Sequence, residues 1–493
     1  MSGWRVMLPL AGVLAVNPCS AADFRFANVE GLFDLTLAYG IGMRLQDADR
    51  DLVGIANGGR AASVDRDDGN LNYDKGIFSN ALRINADLTL AWKQFGAYLR
   101  GYAFYDYETM DAERARTPLS DASLDDIGKD IGLLDHYLSA RVRAGGVPLL
   151  FRVGDQVVNW GETTFVRDGI DIINPLDFTA LAQPAMSARD TLIPQGMLWG
   201  AANVTETLAV EGYYQYEWEP VRLAPVGSYF SANDTFGGDE VNFVTLGAGR
   251  FSDLGTDLDQ VFGLPTGTLG FDPDFFKLPG RGVAEPRDGG QFGVSVSMIL
   301  PGSNATRVGA HLIRYHTRLP IFSGVTATQA AVDATTPEAV EALAGTLVPD
   351  YLATGLSPAE AAEAASRTAA ALTTSAYANR AGYFVEYPEG ISMVGASFST
   401  STLRRGILVA GDIAHHFDFP FQVSLSEVFA AVLSPIQFGA GGGDSRLGRF
   451  GADEVVKGYV RRDKTQASLG LTRLLGPRLG ASQTTLGGDV AWV

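Results

Sequence analysis

From Ala81 to Trp92 the chain reads ALRINADLTLAW, and in this run apolar and polar residues alternate strictly. Leu82, Ile84, Ala86, Leu88, Leu90 and Trp92 share one face, while Arg83, Asn85, Asp87 and Thr89 share the other. A period of two is the signature of a β-strand, whose successive side chains point to opposite sides. The length of the run is the stronger constraint. Strands of soluble proteins run to about 5–6 residues, whereas a strand that crosses a bilayer needs about 9–11. One face of such a strand meets lipid and the other meets water, so charges on the polar face are expected.

The pattern recurs. Phe33, Leu35, Leu37 and Tyr39 alternate with Asp34, Thr36 and Ala38. Leu208, Val210, Gly212, Tyr214, Tyr216 and Trp218 alternate with Ala209, Glu211, Tyr213, Gln215 and Glu217. Phe292 to Met298 and Ala467 to Leu471 behave in the same way. Aromatic residues gather where these runs end, at Trp92 and Phe95, Tyr102 to Tyr107 and Tyr213 to Trp218, as interfacial girdles require. No stretch approaches the ~18 consecutive apolar residues of a helical span. The hydrophobic content of 46% nevertheless argues against a disordered chain. What remains is a closed sheet, which satisfies its backbone between strands. The expected fold is all-β, a large antiparallel transmembrane β-barrel of the outer-membrane type with roughly 14–18 strands, long loops and a short helical insertion.

The N-terminus carries an export pattern. Arg5 is followed by the apolar run Val6 to Val16, then Asn17 and Pro18, then the small residues Ser20, Ala21 and Ala22. Residues 1–21 are expected to be a cleaved signal peptide and residues 22–493 the barrel. Cys19 is the only cysteine, and the residues before it lack a lipoprotein lead-in. A net charge of −18 lacks the basic footprint that nucleic acid demands.

Between the strand patterns lie long irregular stretches at Leu45 to Lys75, Glu108 to Asp130 and Ser228 to Pro286. A helical insertion is expected over residues 325–380. Thr336-Pro337-Glu338 and Ser357-Pro358-Ala359-Glu360 each place a hydroxyl cap before proline and an acid in the first turn. They predict helices over Pro337 to Ala344 and Pro358 to Leu372.

No catalytic constellation emerges, and the chain is not expected to be an enzyme or to carry a cofactor or metal. His311 and His316, five apart, fall on opposite faces of a strand. Asp412, His415 and His416 would meet at a metal only if the strand ended between them. Trp160-Gly161-Glu162 is the most distinctive passage. It reads either as an inward turn placing Glu162, Asp168 and Asp171 at a constriction, or as a hydrogen-bonded corner setting strand direction. Asn174-Pro175-Leu176-Asp177 supplies the turn that closes it. Trp160, Glu162, Asp168, Asp171, Asn174 and Asp177 are thus the candidate lumen residues.

That same passage, FRVGDQVVNWGETTFVRDGIDIINPLD between Leu150 and Asp177, resembles the signature of a Gram-negative family numbered 1302 among the domains of unknown function. Further matching stretches are Asp68 to Gly76, Leu133-Leu134-Asp135, Tyr216-Glu217-Trp218, Pro225, Gly227 to Ser231, Asn233-Asp234, Phe384 to Glu389, Gly395 to Phe398 and Leu479-Gly480-Ala481. The resemblance implies an outer-membrane barrel that meets lipid and the barrel-assembly machinery. It also implies transport or handling of small hydrophobic or lipid-like molecules, beside a periplasmic lipoprotein-like partner and an exporter. A general diffusion porin, a non-conducting lipid-binding surface protein and an outer-membrane hydrolase are the alternatives. Family members generally extend further than Val493, so closing strands are expected to be missing after residue 493.

Overall fold

A computed structural model describes residues 20–162, 166–186, 188–238, 240–303, 305–402, 406–438, 445–478 and 481–493. Most of the expected signal peptide, and Leu479-Gly480, lie outside them. Fourteen strands form one sheet in chain order. They are β1 (Ser20–Phe26), β2 (Val29–Arg44), β3 (Gly76–Trp92), β4 (Phe95–Asp106), β5 (Lys129–Ala144), β6 (Val147–Gln156), β7 (Gln195–Asn203), β8 (Leu208–Gln215), β9 (Gln291–Ile299), β10 (Arg307–Tyr315), β11 (Ile391–Thr402), β12 (Ile407–Gln422), β13 (Tyr459–Arg478) and β14 (Ala481–Trp492).

Every neighbouring pair is antiparallel. β1 and β14 are the two ends of this order. No helix among the described residues is long and apolar enough to cross a membrane.

The alternation decides which way each side chain points, and it is inverted relative to a soluble protein. In β3 Ile84 is 40% exposed while its neighbours Arg83 and Asn85 are buried. The outer face of the sheet carries continuous apolar rows across paired strands. Val294 of β9 faces Leu312 of β10, which faces Val394 of β11, and all three are exposed. Burying charges while exposing aliphatic side chains is stable only if the outer solvent is hydrocarbon. The sheet is therefore the wall of a transmembrane β-barrel.

The connections are asymmetric. At one end the strands are joined by short turns, such as Ala27-Asn28, Lys93-Gln94 and Gly145-Gly146. At the other end lie loops 45–75, 107–128, 157–194, 216–290, 316–390 and 423–458. Outer-membrane barrels show this division between short periplasmic turns and long external loops.

Three of the long loops build a body with its own core. A five-stranded sheet joins Phe243–Thr245, Lys277–Ala284, Gly382–Glu386, Ile321–Val325 and Val455–Val456. Trp218, Leu278, Tyr383, Val385, Val432 and Val456 pack together at its centre. The stretch from Ser228 to Pro286, irregular in sequence, thus contributes to a folded layer. Trp218 belongs to this core and not to an interfacial girdle, because β8 already ends at Gln215.

The helices start where the sequence predicts. Thr336 and Ser357 cap α1 (Pro337–Ala353) and α2 (Pro358–Ala378), and Ser357 forms a reciprocal capping box with Glu360. Both run further than local signals indicate. α1 continues through Gly345 and Pro349 because Leu347, between them, and Tyr351, beyond them, are buried against α2. Tertiary packing here outweighs the helix-breaking tendency of glycine and proline.

Candidate functional site in the lumen

Loop 157–194 turns inward and meets the inner face of the sheet from β2 to β13. Its attachments begin at its own base. Asn174 accepts from the Val158 backbone N–H at 2.9 Å and donates to the carbonyls of Gln156 at 3.1 Å and Ile193 at 2.9 Å. An asparagine side chain that replaces three backbone partners ties the entry and exit of the loop together.

From there the attachments fan around the wall. Trp160 donates its indole N–H to Glu211 of β8 at 3.0 Å and packs against Tyr213 and His311. The Glu162 backbone N–H is held by the Asp412 carboxylate of β12 at 3.0 Å. On β13, Gln466 donates to the Arg167 carbonyl at 2.8 Å and Lys464 to the Asp168 carbonyl at 3.3 Å. On the opposite side Asp190 is buried between Arg83 of β3, at 3.7 Å, and Arg100 of β4. Two glycines let the loop reach the wall. A Cβ on Gly40 of β2 would lie 2.6 Å from the Pro184 backbone, and one on Gly395 of β11 would lie 2.9 Å from Ile170. A segment that touches strands on so many sides is enclosed by them.

The six residues predicted from sequence separate into two groups. Asp168, Asp171 and Asn174 line one cavity; Trp160, Glu162 and Asp177 do not. Asp177 caps the short helix Phe178–Ala182 through the Ala180 N–H and pairs with Arg222 at 3.2 Å. Asp168 holds a left-handed backbone conformation, with φ at 65°. Asp171 accepts from the Gly169 N–H at 3.1 Å and pairs with Arg167 at 3.2 Å. Burial raises its carboxyl above the ordinary range, and Arg167 opposes that.

The cavity measures about 500 Å³ and is lined mainly by apolar side chains. Ile172, Leu176, Leu192, Val221, Leu319 and Phe419 are among its lining residues, together with Arg318. Sequence reasoning misses Arg318. It is 3% exposed, and its terminal nitrogens donate to neutral oxygens only. Those acceptors are the side chains of Gln195, Gln215 and Gln291 and the carbonyls of Glu219 and Ile173, at 2.7–3.4 Å. Burial pulls its guanidinium down to about 10. A single arginine after the end of a strand carries no local signal of burial, since its cage comes from three separate strands.

Among the described residues the histidines of β12 point to opposite sides of the sheet. His415 faces outward and bonds Thr465 at 2.8 Å, whereas His416 faces inward and bonds Tyr315 at 2.9 Å. Asp412, on the inner face, holds Glu162. The strand runs on past them, so alternation turns His415 away from Asp412 and His416, which lie four residues apart on one face. In the loops Asp67, Asp68 and Asp253 converge within 4.8 Å. Their partners are protein donors: Arg116 pairs with Asp68 and Asp253, and the Gly54 N–H and Asn57 bond Asp67.

No curated protein sequence matches the chain. Among solved structures it is similar to OccAB3 of Acinetobacter baumannii, at 12% identity and a TM-score of 0.30, over 94% of this chain and 82% of that one. It is also similar to OprB of Pseudomonas putida, at 10% identity and a TM-score of 0.25, over 93% of each chain. At these scores the fold rests on the strand order and burial described above. The matching family model, described as a protein of unknown function, DUF1302, spans residues 3–493, and the chain belongs to that family.

Proposed function

We propose that the protein is an outer-membrane conduit for small apolar or amphipathic molecules, which lodge in the lumen cavity on their way through. The observation that carries this reading is the cavity itself. Its ~500 Å³ is in the range of small-molecule pockets, roughly 300–1,000 Å³, and its lining is mainly aliphatic and aromatic. An aqueous diffusion pore has a polar, water-filled interior. Loop 157–194 obstructs such a path by crossing to both sides of the wall. Glu162, Asp168 and Asp171 then set the charge along the constriction. Export through a cleaved signal, insertion by the barrel-assembly machinery and a periplasmic lipoprotein-like partner with an exporter belong to the same proposal. The absence of enzymatic activity belongs to it as well.

The test starts from fractionation of the full chain and a gel shift on boiling, which report an outer-membrane barrel. The purified barrel is then assayed for ion conductance in planar bilayers and for uptake of an apolar dye into liposomes. Low conductance with protein-dependent dye entry is expected. A large, stable ionic conductance without selectivity for apolar solutes would favour the diffusion porin. Neither conductance nor dye entry would favour a non-conducting lipid-binding protein.

A further inference from the structure

Arg318 stands apart among the charged groups of the cavity. Arg167 is paired with Asp171. Asp168 has Lys464 beside it, which donates to its backbone carbonyl at 3.3 Å. Among the described residues no carboxylate lies within ion-pair distance of Arg318, and Glu219 offers it a backbone carbonyl. Its Nε is buried and has no hydrogen-bond partner. A buried charge is costly unless an opposite charge or a full set of hydrogen bonds compensates it. Five neutral acceptors hold the guanidinium in place, with no carboxylate bonded to it and its Nε unpartnered, in a cavity whose lining includes Leu176, Leu319 and Phe419 as well as Asp168 and Asp171.

We infer that the cavity is a binding site for small amphipathic acids, with an apolar body among these side chains and a carboxylate drawn to Arg318. The inference rests on the conduit reading above and adds the substrate's head group. A planar guanidinium suits a carboxylate better than a point charge does, because it offers donors in a fixed plane. The glutamine cage serves the same end. Gln195, Gln215 and Gln291 orient the arginine without neutralising it, whereas a glutamate at any of these places would supply the counter-charge permanently.

The probes are adamantane carboxylate and its neutral isostere adamantane carboxamide, titrated calorimetrically into the full-length barrel in detergent. The carboxylate is expected to bind about tenfold tighter or more, the range of a charge-assisted hydrogen bond over a neutral one. Arg318→Met should abolish the preference and Arg318→Lys should keep most of it. Leu319→Trp, at a side chain 40% exposed on the cavity, should weaken both probes alike. If Arg318→Met does not fold, the two probes on the parent protein and on Leu319→Trp still decide the matter. Equal binding of both probes, or a preference that survives in Arg318→Met, would overturn the head-group assignment and leave the conduit reading standing. No binding of either probe would overturn both.

Discussion

Replacing Asp190 by Asn tests whether the inward loop is held by the wall's own charges. The Asp190 side chain is fully buried, and those of Arg83 and Arg100 are 1% and 5% exposed. Removing one partner of a buried ion pair costs about 3–5 kcal/mol, because the remaining charges stay buried without compensation. Here the lower part of that range is expected, since Asp87 still lies 3.9 Å from Arg100 and Asn keeps some hydrogen bonds. About 3 kcal/mol corresponds to a change of more than a hundredfold in the balance between anchored and released loop. The strand ladders do not involve Asp190, so the gel-shift temperature should hardly move. Planar-bilayer recordings of Asp190→Asn should show larger or noisier openings than the parent. Adding Arg100→Gln should recover part of the loss, giving the non-additivity expected of contacting residues. Unchanged currents together with unchanged protease resistance of loop 157–194 would refute the anchoring argument.

Other outcomes follow from the same geometry. Glu162→Gln should lower cation preference in reversal-potential measurements, whereas an unchanged potential would assign Glu162 to the corner that Asp412 holds. Gly40→Val places a side chain against the Pro184 backbone, and the overpacking, roughly 1–3 kcal/mol, should raise conductance by pushing the loop off β2. Trp218→Ala removes a central side chain of the loop core and should cost it about 3–5 kcal/mol, read as faster proteolysis of residues 216–290 with the barrel's gel shift intact. Burial and the neighbouring Asp68 raise the Asp234 carboxyl from 3.8 to about 8. The folded loops therefore bind more protons than the unfolded ones, so this stability is full below pH ~4 and is lost as pH rises through ~8. Protection of the loops from protease should fall across that window, and Asp234→Asn should flatten the profile.

The wall of the barrel was written into the local pattern. Ile84 beside Arg83, and Val294 beside Ser295, already sort lipid from lumen, because a strand's period of two needs no tertiary information. The caps at Thr336 and Ser357 were legible for the same reason, since a cap is satisfied within three residues. What long-range contacts supply was not. Local signals predict a helix only to Ala344, and Tyr351 packing against α2 carries α1 on through Gly345 and Pro349. Asp168, Asp171 and Asn174 share one distinctive loop in the sequence, but their meeting with Leu319 and Phe419 depends on how the sheet curls around that loop. Arg318 lay beyond sequence altogether. Its meaning comes from Gln195, Gln215 and Gln291, three strand residues that alternation marks only as polar and inward. Periodicity fixes the face of each side chain, but curvature and strand pairing decide which of those faces meet, and the site exists only where they do.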